Sequence, residues 1–265
     1  VVKRWIYNAP RKYVVEQAYD ENNGVLCGIV SSDKVYEHIL SNNPKNLGDI
    51  IEGQSFVIDG MKVTIISPDV DKLNQLREKY SNHRPLCKSE IDKASVEAGS
   101  VMDDYFIPLQ KFNLDYFQED TSVENASSIA AVFEYDDKRI LWLSDSVPSV
   151  VMKSLFMLGF SETNKMYCDA VLLSHHGSAA NNSLALLRMI QADKYIISAD
   201  GMNGHCLPNK ETIARIVSAS SNLPVTLYFN YEDVRLIKMF KSDAQEDVKS
   251  RIDVHYLKDM EAIEF

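Results

Sequence analysis

Carboxylate and imidazole side chains follow three successive apolar stretches in the second half of the sequence. The first stretch ends at Asp145, the second at the adjacent pair His175-His176, and the third is followed by His205. Half of the six histidines therefore fall between positions 175 and 205. Because carboxylate oxygen and imidazole nitrogen together suit Zn²⁺, Mn²⁺ or iron, the pattern indicates a metal site.

Each of these residues also has an ordinary structural interpretation. Asp145 could cap the helix that follows it, and His176 or His205 could be a hydrogen-bonded histidine without a chemical role. Cys206 could bind zinc, although a buried thiol that packs as an apolar group is more common. Taken together, the three strand ends favour the functional interpretation. The other histidines have no ligand types nearby in the sequence, and we interpret them as structural: His38, His83 and His255.

These residues need a scaffold that brings their strand ends together. From residue 125 onward, strands alternate with helices of about ten residues, which is typical of an α/β fold. The predicted strands are 127–135, 139–144, 170–174, 194–199 and 224–229, and the predicted helices are 148–158, 183–190 and 210–219. Sites on α/β sheets lie at the carboxyl ends of the strands, so the sequence predicts one shared site.

The first 124 residues are less regular. Asp59-Gly60 predicts a hairpin between two strands, because a type I′ turn needs positive φ at its central positions. The other elements predicted here are strands at 4–7 and 25–30 and helices at 32–40 and 71–80. Residues 81–124 lose periodicity and are expected to form an insertion or a long loop. At the other end of the chain, the acidic stretch 241–265 is expected to be a peripheral tail or a closing helix.

The composition limits the possible partners. A net charge of −10 disfavours bulk nucleic-acid binding, because phosphate contacts need a basic surface, but it leaves a small anionic or phosphodiester substrate open. No run of 18 apolar residues and no signal peptide are visible, so no membrane segment is expected. Widely spaced cysteines without a C-x-x-C pair are typical of reduced thiols, and we expect a cytoplasmic protein.

The motifs resemble the second half of the metallo-β-lactamase fold. The elements that carry this resemblance are Asn125-x-Ser127-Ser128, the strand ending at Asp145, Leu173-Ser174-His175-His176-Gly177-Ser178, and Asn203-Gly204-His205 with Pro208. The branch that they resemble contains the hydrolase domain of the competence protein ComEC and the pneumococcal phosphorylcholine esterase. Residues 47–68 are similar to the hairpin that precedes this half, so the resemblance extends over much of a single domain, 1–265.

The resemblance implies an αββα sandwich and a hydrolase that uses two divalent ions, Zn²⁺ or Mn²⁺, on a phosphodiester of a nucleic acid or nucleotide. Asp145 would bridge the two ions, and His176 would bind the second. His175 would contact the substrate phosphate or stabilise charge in the transition state, and His205 would lie over the site. Two ions would lower the pKa of a bridging water and neutralise charge on a phosphoryl oxygen.

The sequence departs from the family in its metal ligands. The primary signature His-x-[His/Asp]-x-Asp-His occurs nowhere, and the family's His-Pro is replaced by His205-Cys206-Leu207-Pro208. In the family the missing signature would lie just before Val1, so we expect a fold that is incomplete at the N-terminus. The chain would be a fragment, a processed product or half of a split domain. With only the C-terminal half of the site, it would be catalytically weak or inert alone.

Two other functional interpretations stay open. The chain could be a non-catalytic metallo-β-lactamase-like scaffold that binds a protein partner. It could instead be a serine hydrolase that uses Ser178 or Ser144 beside His175, although the G-x-S-x-G elbow of such enzymes is absent. The sequence does not identify the substrate, the metal, the oligomeric state or the role of residues 81–124.

Overall fold

The computed structural model describes residues 5–10, 27–42, 48–81, 103–201, 206–258 and 262–264. Within these ranges, eight strands form one sheet in chain order, with helices packed against it. The α/β fold class is therefore confirmed. The eight described strands are hydrogen-bonded into one sheet rather than divided between the two of an αββα sandwich.

The sheet has an antiparallel half and a parallel half. Strands β1 to β4 pair antiparallel, and strands β4 to β8 pair parallel. The strands are β1 Ser55–Ile58, β2 Met61–Ser67, β3 Ala130–Tyr135, β4 Lys138–Trp142, β5 Met166–Leu172, β6 Ile190–Ile197, β7 Val225–Phe229 and β8 Ile252–Tyr256. Because β4, β5 and β6 are parallel neighbours, their carboxyl ends lie at one edge of the sheet.

Eight α-helices are described. They are α1 Cys27–Asn42, α2 Val70–Ser81, α3 Val123–Ala126, α4 Pro148–Met157, α5 Leu184–Arg188, α6 Lys210–Ala219, α7 Val234–Lys238 and α8 Gln245–Arg251. Two 3-10 turns cover Leu109–Lys111 and Ser174–Gly177. Apart from its 3-10 turn and the start of α3, the described part of the expected insertion, 103–124, has no regular secondary structure. None of the described helices has both the length and the apolar character needed to cross a membrane.

The main core lies between the parallel strands and helices α4, α5 and α6. Leu141, Tyr195, Ile197 and Phe229 alternate with less buried neighbours along their strands, and these four residues and Val171 are almost completely buried. Each such side chain stabilises the fold by about 1.5–3 kcal/mol when it leaves water. This core fixes the relative positions of the strand ends at which the candidate residues lie.

Most of the predicted elements are confirmed at about their predicted positions. The hairpin has φ of 50° at Asp59 and 87° at Gly60, as the type I′ turn requires. The alternating strands and helices after residue 125 are also present, and the helices predicted at 32–40 and 71–80 are α1 and α2. The agreement is closest where a helical or alternating period is sustained, because burial of one face then decides the local structure.

Four predictions are wrong. Residues 5–7 are not a strand, and residues 27–30 belong to α1, because short apolar runs do not distinguish strand from helix. Strand β3 begins at Ala130 rather than at 127, since α3 and its capping turn occupy the preceding residues. Of the two alternatives for residues 241–265, the closing helix is present as α8, but the peripheral tail is wrong, because β8 pairs with β7 along its full length. Residues 4, 25 and 26 lie outside the described residues.

Candidate active site

Two strand ends carry unusual backbone conformations. Ser144, which follows β4, has φ of 49°, and after β5 His175 and His176 have φ of 45° and 56°. The backbone N–H of His175 donates to the carbonyl of Ser144 at 2.7 Å, so the two strand ends are joined directly. A residue other than glycine loses about 1–2 kcal/mol in this left-handed region. Such strain persists where surrounding contacts impose it, and it is concentrated at functional sites.

Buried hydrogen bonds hold the His-His turn in this conformation. The hydroxyl of Ser174 donates to the carbonyl of Ser146 at 2.7 Å, and the amide oxygen of Asn182 accepts from the N–H of Ser174 at 3.1 Å. The Asn182 amide nitrogen donates to the carbonyls of Ser174 and Ser178 at 2.8 Å each. The side chains of Ser174 and Asn182 are both buried, so the turn is held by a residue before it, Ser146, and by a residue after it, Asn182.

Gly177 allows the turn to pack closely on the residues before α6. Its φ is 83°, and a Cβ at this position would lie 2.8 Å from the Cβ of Pro208. The Gly177 carbonyl accepts from the hydroxyl of Thr212 at 2.8 Å and from the N–H of Asn209 at 3.2 Å. Both the backbone conformation and the available space therefore require glycine after the two histidines.

His175 is held by three polar side chains. Its Nδ1 lies 3.1 Å from Oδ1 of Asn181, 3.3 Å from Nδ2 of Asn125 and 3.6 Å from Oδ2 of Asp120. The same Asp120 oxygen accepts hydrogen bonds from Asn125 at 2.6 Å and from Asn181 at 3.1 Å. Because two acceptor oxygens face Nδ1, we assign the proton to Nδ1. Nε2 is then the ring nitrogen left for another group.

Asp120 is an ionised anchor for this cluster. Burial by itself raises the pKa of Asp120, but hydrogen bonds from Asn125, from the Ser122 N–H and from Asn181 oppose it. Together with the nearby His175 imidazole, these donors bring the pKa below its ordinary value. Asp120 is therefore a carboxylate at neutral pH and fixes the direction of the His175 ring.

His176 is more exposed and has a different anchor. Its Nδ1 is hydrogen-bonded to the backbone carbonyl of Ser198, which can only accept, so Nδ1 carries the proton. The centroids of the His175 and His176 rings are 5.9 Å apart. Histidines that bind metals usually donate the other ring N–H to a carbonyl or a carboxylate. Both imidazoles show this arrangement, although the partners of His175 are side chains.

Asp145 does not cap the helix that follows it. Helix α4 has Val147 at its N-cap, and the carboxylate of Glu119 accepts from the N–H and the hydroxyl of Ser149 in its first turn, at 2.8 and 2.7 Å. The carboxylate of Asp145 is partly exposed and has no hydrogen-bond partner among the described residues. Its backbone carbonyl accepts from Asn181 at 3.3 Å, which links Asp145 to the His175 cluster.

A polar cleft of about 590 Å³ opens beside this cluster. His175, Asp120, Asn125 and Asn181 all contribute to its lining. Asp145 and His176 do not line it, and His205 lies outside the described residues. Of the three predicted site residues that the structure describes, one therefore lies at the cleft, together with three polar residues that were not assigned roles.

The donor types at the two strand ends suit a divalent transition metal, but their arrangement does not complete a metal centre. In the described ranges, no three His, Cys, Asp or Glu side chains converge on a point where they could hold one ion. The described residues alone therefore do not fit the two-metal site that the family resemblance implies. For this reason we derive no reaction step through a metal.

The serine hydrolase interpretation finds no support among the described contacts. The Ser144 hydroxyl donates to the carbonyl of Ile129 at 2.8 Å and accepts from Trp142 at 3.0 Å. The Ser178 hydroxyl accepts from the N–H of Ala180 at 3.2 Å. Neither hydroxyl is hydrogen-bonded to His175, so neither is activated by this imidazole in the described structure.

Asp120 and Asn181 are the residues of the candidate site that sequence reasoning missed. Asp120 lies in the aperiodic segment before β3, and Asn181 lies in the loop after the His-His turn. Asp120 and His175 are 55 positions apart, so no local spacing could connect them. Asn125 belongs to the pattern that resembles the family, but the sequence did not predict its contact with His175, which the structure shows.

The similarity of this chain to known proteins is weak. No protein-family model matches the chain, and no curated protein matches it. One similar solved structure is the crystal structure of a diphosphatase from the PhnP family, with 17% sequence identity and a TM-score of 0.22. The match covers 52% of this chain and 40% of that chain. At this TM-score the similarity supports no argument about the site, and the candidate residues are judged on their geometry alone.

Proposed function

We propose that this chain is part of a metal-dependent hydrolase of the metallo-β-lactamase superfamily, in its ComEC-like branch, that acts on a phosphodiester. The observation that supports this proposal is the pair of anchored imidazoles. His175 and His176 stand in left-handed conformations at a parallel strand end, and an oxygen acceptor engages Nδ1 of each. Each ring therefore presents Nε2 to a ligand, as metal-binding and phosphate-binding histidines do.

The roles follow from the positions of the side chains. We assign Asp145 and His176 to the metal side of the site, with Zn²⁺ or Mn²⁺ as the ion. We assign His175 to the substrate side, because it is the histidine that lines the cleft. His205 is proposed as a catalytic residue over the site. Further metal ligands have to come from residues of this chain outside the described ranges.

His175 acts in this proposal through its fixed orientation. Asp120 and Asn181 hold Nδ1, so the ring cannot rotate away from the cleft without breaking those contacts. In the imidazolium form of the ring, Nε2 can then donate to a phosphoryl oxygen without a loss of side-chain freedom at the moment of binding. Asp120 is the positioning residue, and it contacts His175 rather than the substrate.

Hydrolysis of bis(p-nitrophenyl) phosphate, followed as release of p-nitrophenolate, tests this proposal. We expect slow hydrolysis that requires added Zn²⁺ or Mn²⁺ and that is lost in His175→Ala and in Asp145→Asn. His255→Ala is the matched control, because His255 is an exposed histidine that contacts Asp253 and Tyr228 on the last two strands. Hydrolysis that needs no metal, or that survives both site substitutions, would contradict the proposal.

A non-catalytic scaffold is the second candidate. The observation in its favour is that the described residues lack a complete set of metal ligands. A larger, mainly apolar cleft of about 870 Å³, with Phe156 and Met157 exposed in its lining, offers a surface for a protein partner. If metal addition produces no hydrolysis and no bound ion, this second function is favoured over the first.

A further inference from the structure

Tyr116 is an exposed aromatic side chain in the wall of the polar cleft. Its side chain is 64% exposed, and it contributes to the same cleft as His175. The adjacent Phe117 lines the neighbouring apolar cleft instead, where its ring centroid lies 5.3 Å from the guanidinium carbon of Arg215. The two neighbouring aromatic residues thus line different clefts, and of the two it is Tyr116 whose ring lines the polar cleft.

The position of Tyr116 is fixed while its ring face stays open. The buried Arg215 donates to the Tyr116 carbonyl at 3.3 Å, which fixes the backbone at this residue. The Tyr116 hydroxyl donates to Oε1 of Gln118 at 3.2 Å, which restrains the ring. A restrained aromatic ring loses little conformational entropy when a planar ligand stacks on it.

The acidic residues of the cleft are already engaged by donors from the protein. Asp120 accepts from Asn125 and Asn181, Glu119 accepts from Ser149, and Glu211 is paired with Arg215. These contacts hold the three carboxylates in place, and Arg215 compensates the charge of Glu211.

Neutral hydrogen-bonding groups also face the cleft. They come from Gln118, Thr121 and Asn209. The open part of this cleft thus combines an aromatic ring with amide and hydroxyl groups. A planar ring that carries polar substituents matches this combination, because its face can stack while its edge forms hydrogen bonds.

We propose that this cleft binds the base of a nucleotide, with Tyr116 stacking on the base while His175 contacts the phosphate. This inference rests on the proposed phosphodiesterase function and names its substrate class. A cleft of about 590 Å³ has the size of a small-molecule site. The net charge of −10 favours a single nucleotide over a polymer, because a polymer would need a basic track for its phosphates.

Isothermal titration with adenosine monophosphate and with ribose 5-phosphate, which lacks the base, separates the two contacts. Tyr116→Ala should weaken binding of adenosine monophosphate by about 5- to 150-fold, the usual effect of removing a stacking partner. Binding of ribose 5-phosphate should change little, and Tyr116→Phe should retain the affinity for adenosine monophosphate. Tyr135→Ala is the matched control, since Tyr135 is 59% exposed on β3 and outside the cleft.

Three results would overturn the inference. The first is that adenosine monophosphate shows no measurable binding. The second is that Tyr116→Ala weakens the binding of both ligands equally. The third is that this substitution leaves the affinity for adenosine monophosphate unchanged. The His175→Ala variant tests the proposed function separately, because it should weaken the binding of both adenosine monophosphate and ribose 5-phosphate. If His175→Ala has its expected effect and Tyr116→Ala has none, the base site fails while the phosphate site stands. If His175→Ala leaves both affinities unchanged, the proposed function fails as well.

Discussion

Gly177→Ala tests whether the turn that carries the two histidines is as tightly packed as the structure indicates. The substitution adds a single methyl group at a residue with φ of 83°, and this methyl would lie 2.8 Å from the Cβ of Pro208. Real Cβ contacts are essentially never this short, so the His-His turn or the segment before α6 has to move. The expected result is a loss of stability together with displaced imidazoles.

The magnitude follows from two contributions and one offset. The left-handed conformation costs alanine about 1–2 kcal/mol relative to glycine. Forcing a methyl group into packed surroundings typically costs about 1–3 kcal/mol. Alanine also lowers the conformational entropy of the unfolded chain, which stabilises the folded state by about 0.4–1 kcal/mol. We therefore expect the free energy of unfolding to fall by about 1–5 kcal/mol.

Gly159→Ala is the matched control for this experiment. Gly159 follows α4 with φ of 90°, and a Cβ built there would meet no heavy atom within 4 Å. Its substitution should cost only about 1 kcal/mol, because the backbone contribution is similar and the steric contribution is missing. Urea denaturation followed by circular dichroism measures both values. The account is refuted if Gly177→Ala is no more destabilising than Gly159→Ala.

Two further substitutions test an anchor of the site and a buried ion pair at the start of α6. Because the pKa of Asp120 is lowered in the fold, its ionised form stabilises the protein above the unfolded value of about 4, and this contribution is lost as the pH falls through the folded value. Asp120→Asn should therefore lower the free energy of unfolding at neutral pH, and progressively less in acid. Urea denaturation at several pH values measures this, and an equal loss of stability at every pH would argue against an ionised anchor. Lys210→Met should cost about 3–5 kcal/mol, since it leaves the buried Asp243 without its partner and removes donors to Ser242 and Tyr105. Adding Asp243→Asn should restore part of that loss in a thermal unfolding assay, and no restoration would mean that the buried pair is not the cause.

The second half of the fold was predictable because its pattern is repeated. Each strand from β4 to β7 is an apolar stretch, and helices lie between them, so the periods of burial agree with the chain order. The parallel order also follows, because connections that contain a helix return the chain in the same direction. Short runs without such repetition, such as 25–30, did not contain enough information to separate helix from strand.

The candidate site was predictable only in part, because its geometry depends on contacts that are distant in sequence. The positions of Asp145 and His175-His176 at strand ends follow from the ends of the apolar stretches. Their backbone conformations do not, since histidine rarely adopts positive φ and only buried neighbours impose it. The helix cap that was the alternative role of Asp145 is supplied instead by Glu119, which is 30 positions from its partner Ser149.

Metal content is the most direct test of the proposed function. The purified chain should be incubated with Zn²⁺ and Mn²⁺, desalted and measured by elemental analysis beside Asp145→Ala and a His175→Ala/His176→Ala double variant. The account predicts near-stoichiometric metal in the parent chain and a loss of that metal in both variants. An absence of bound metal in the parent chain, or metal that both variants retain, would contradict it.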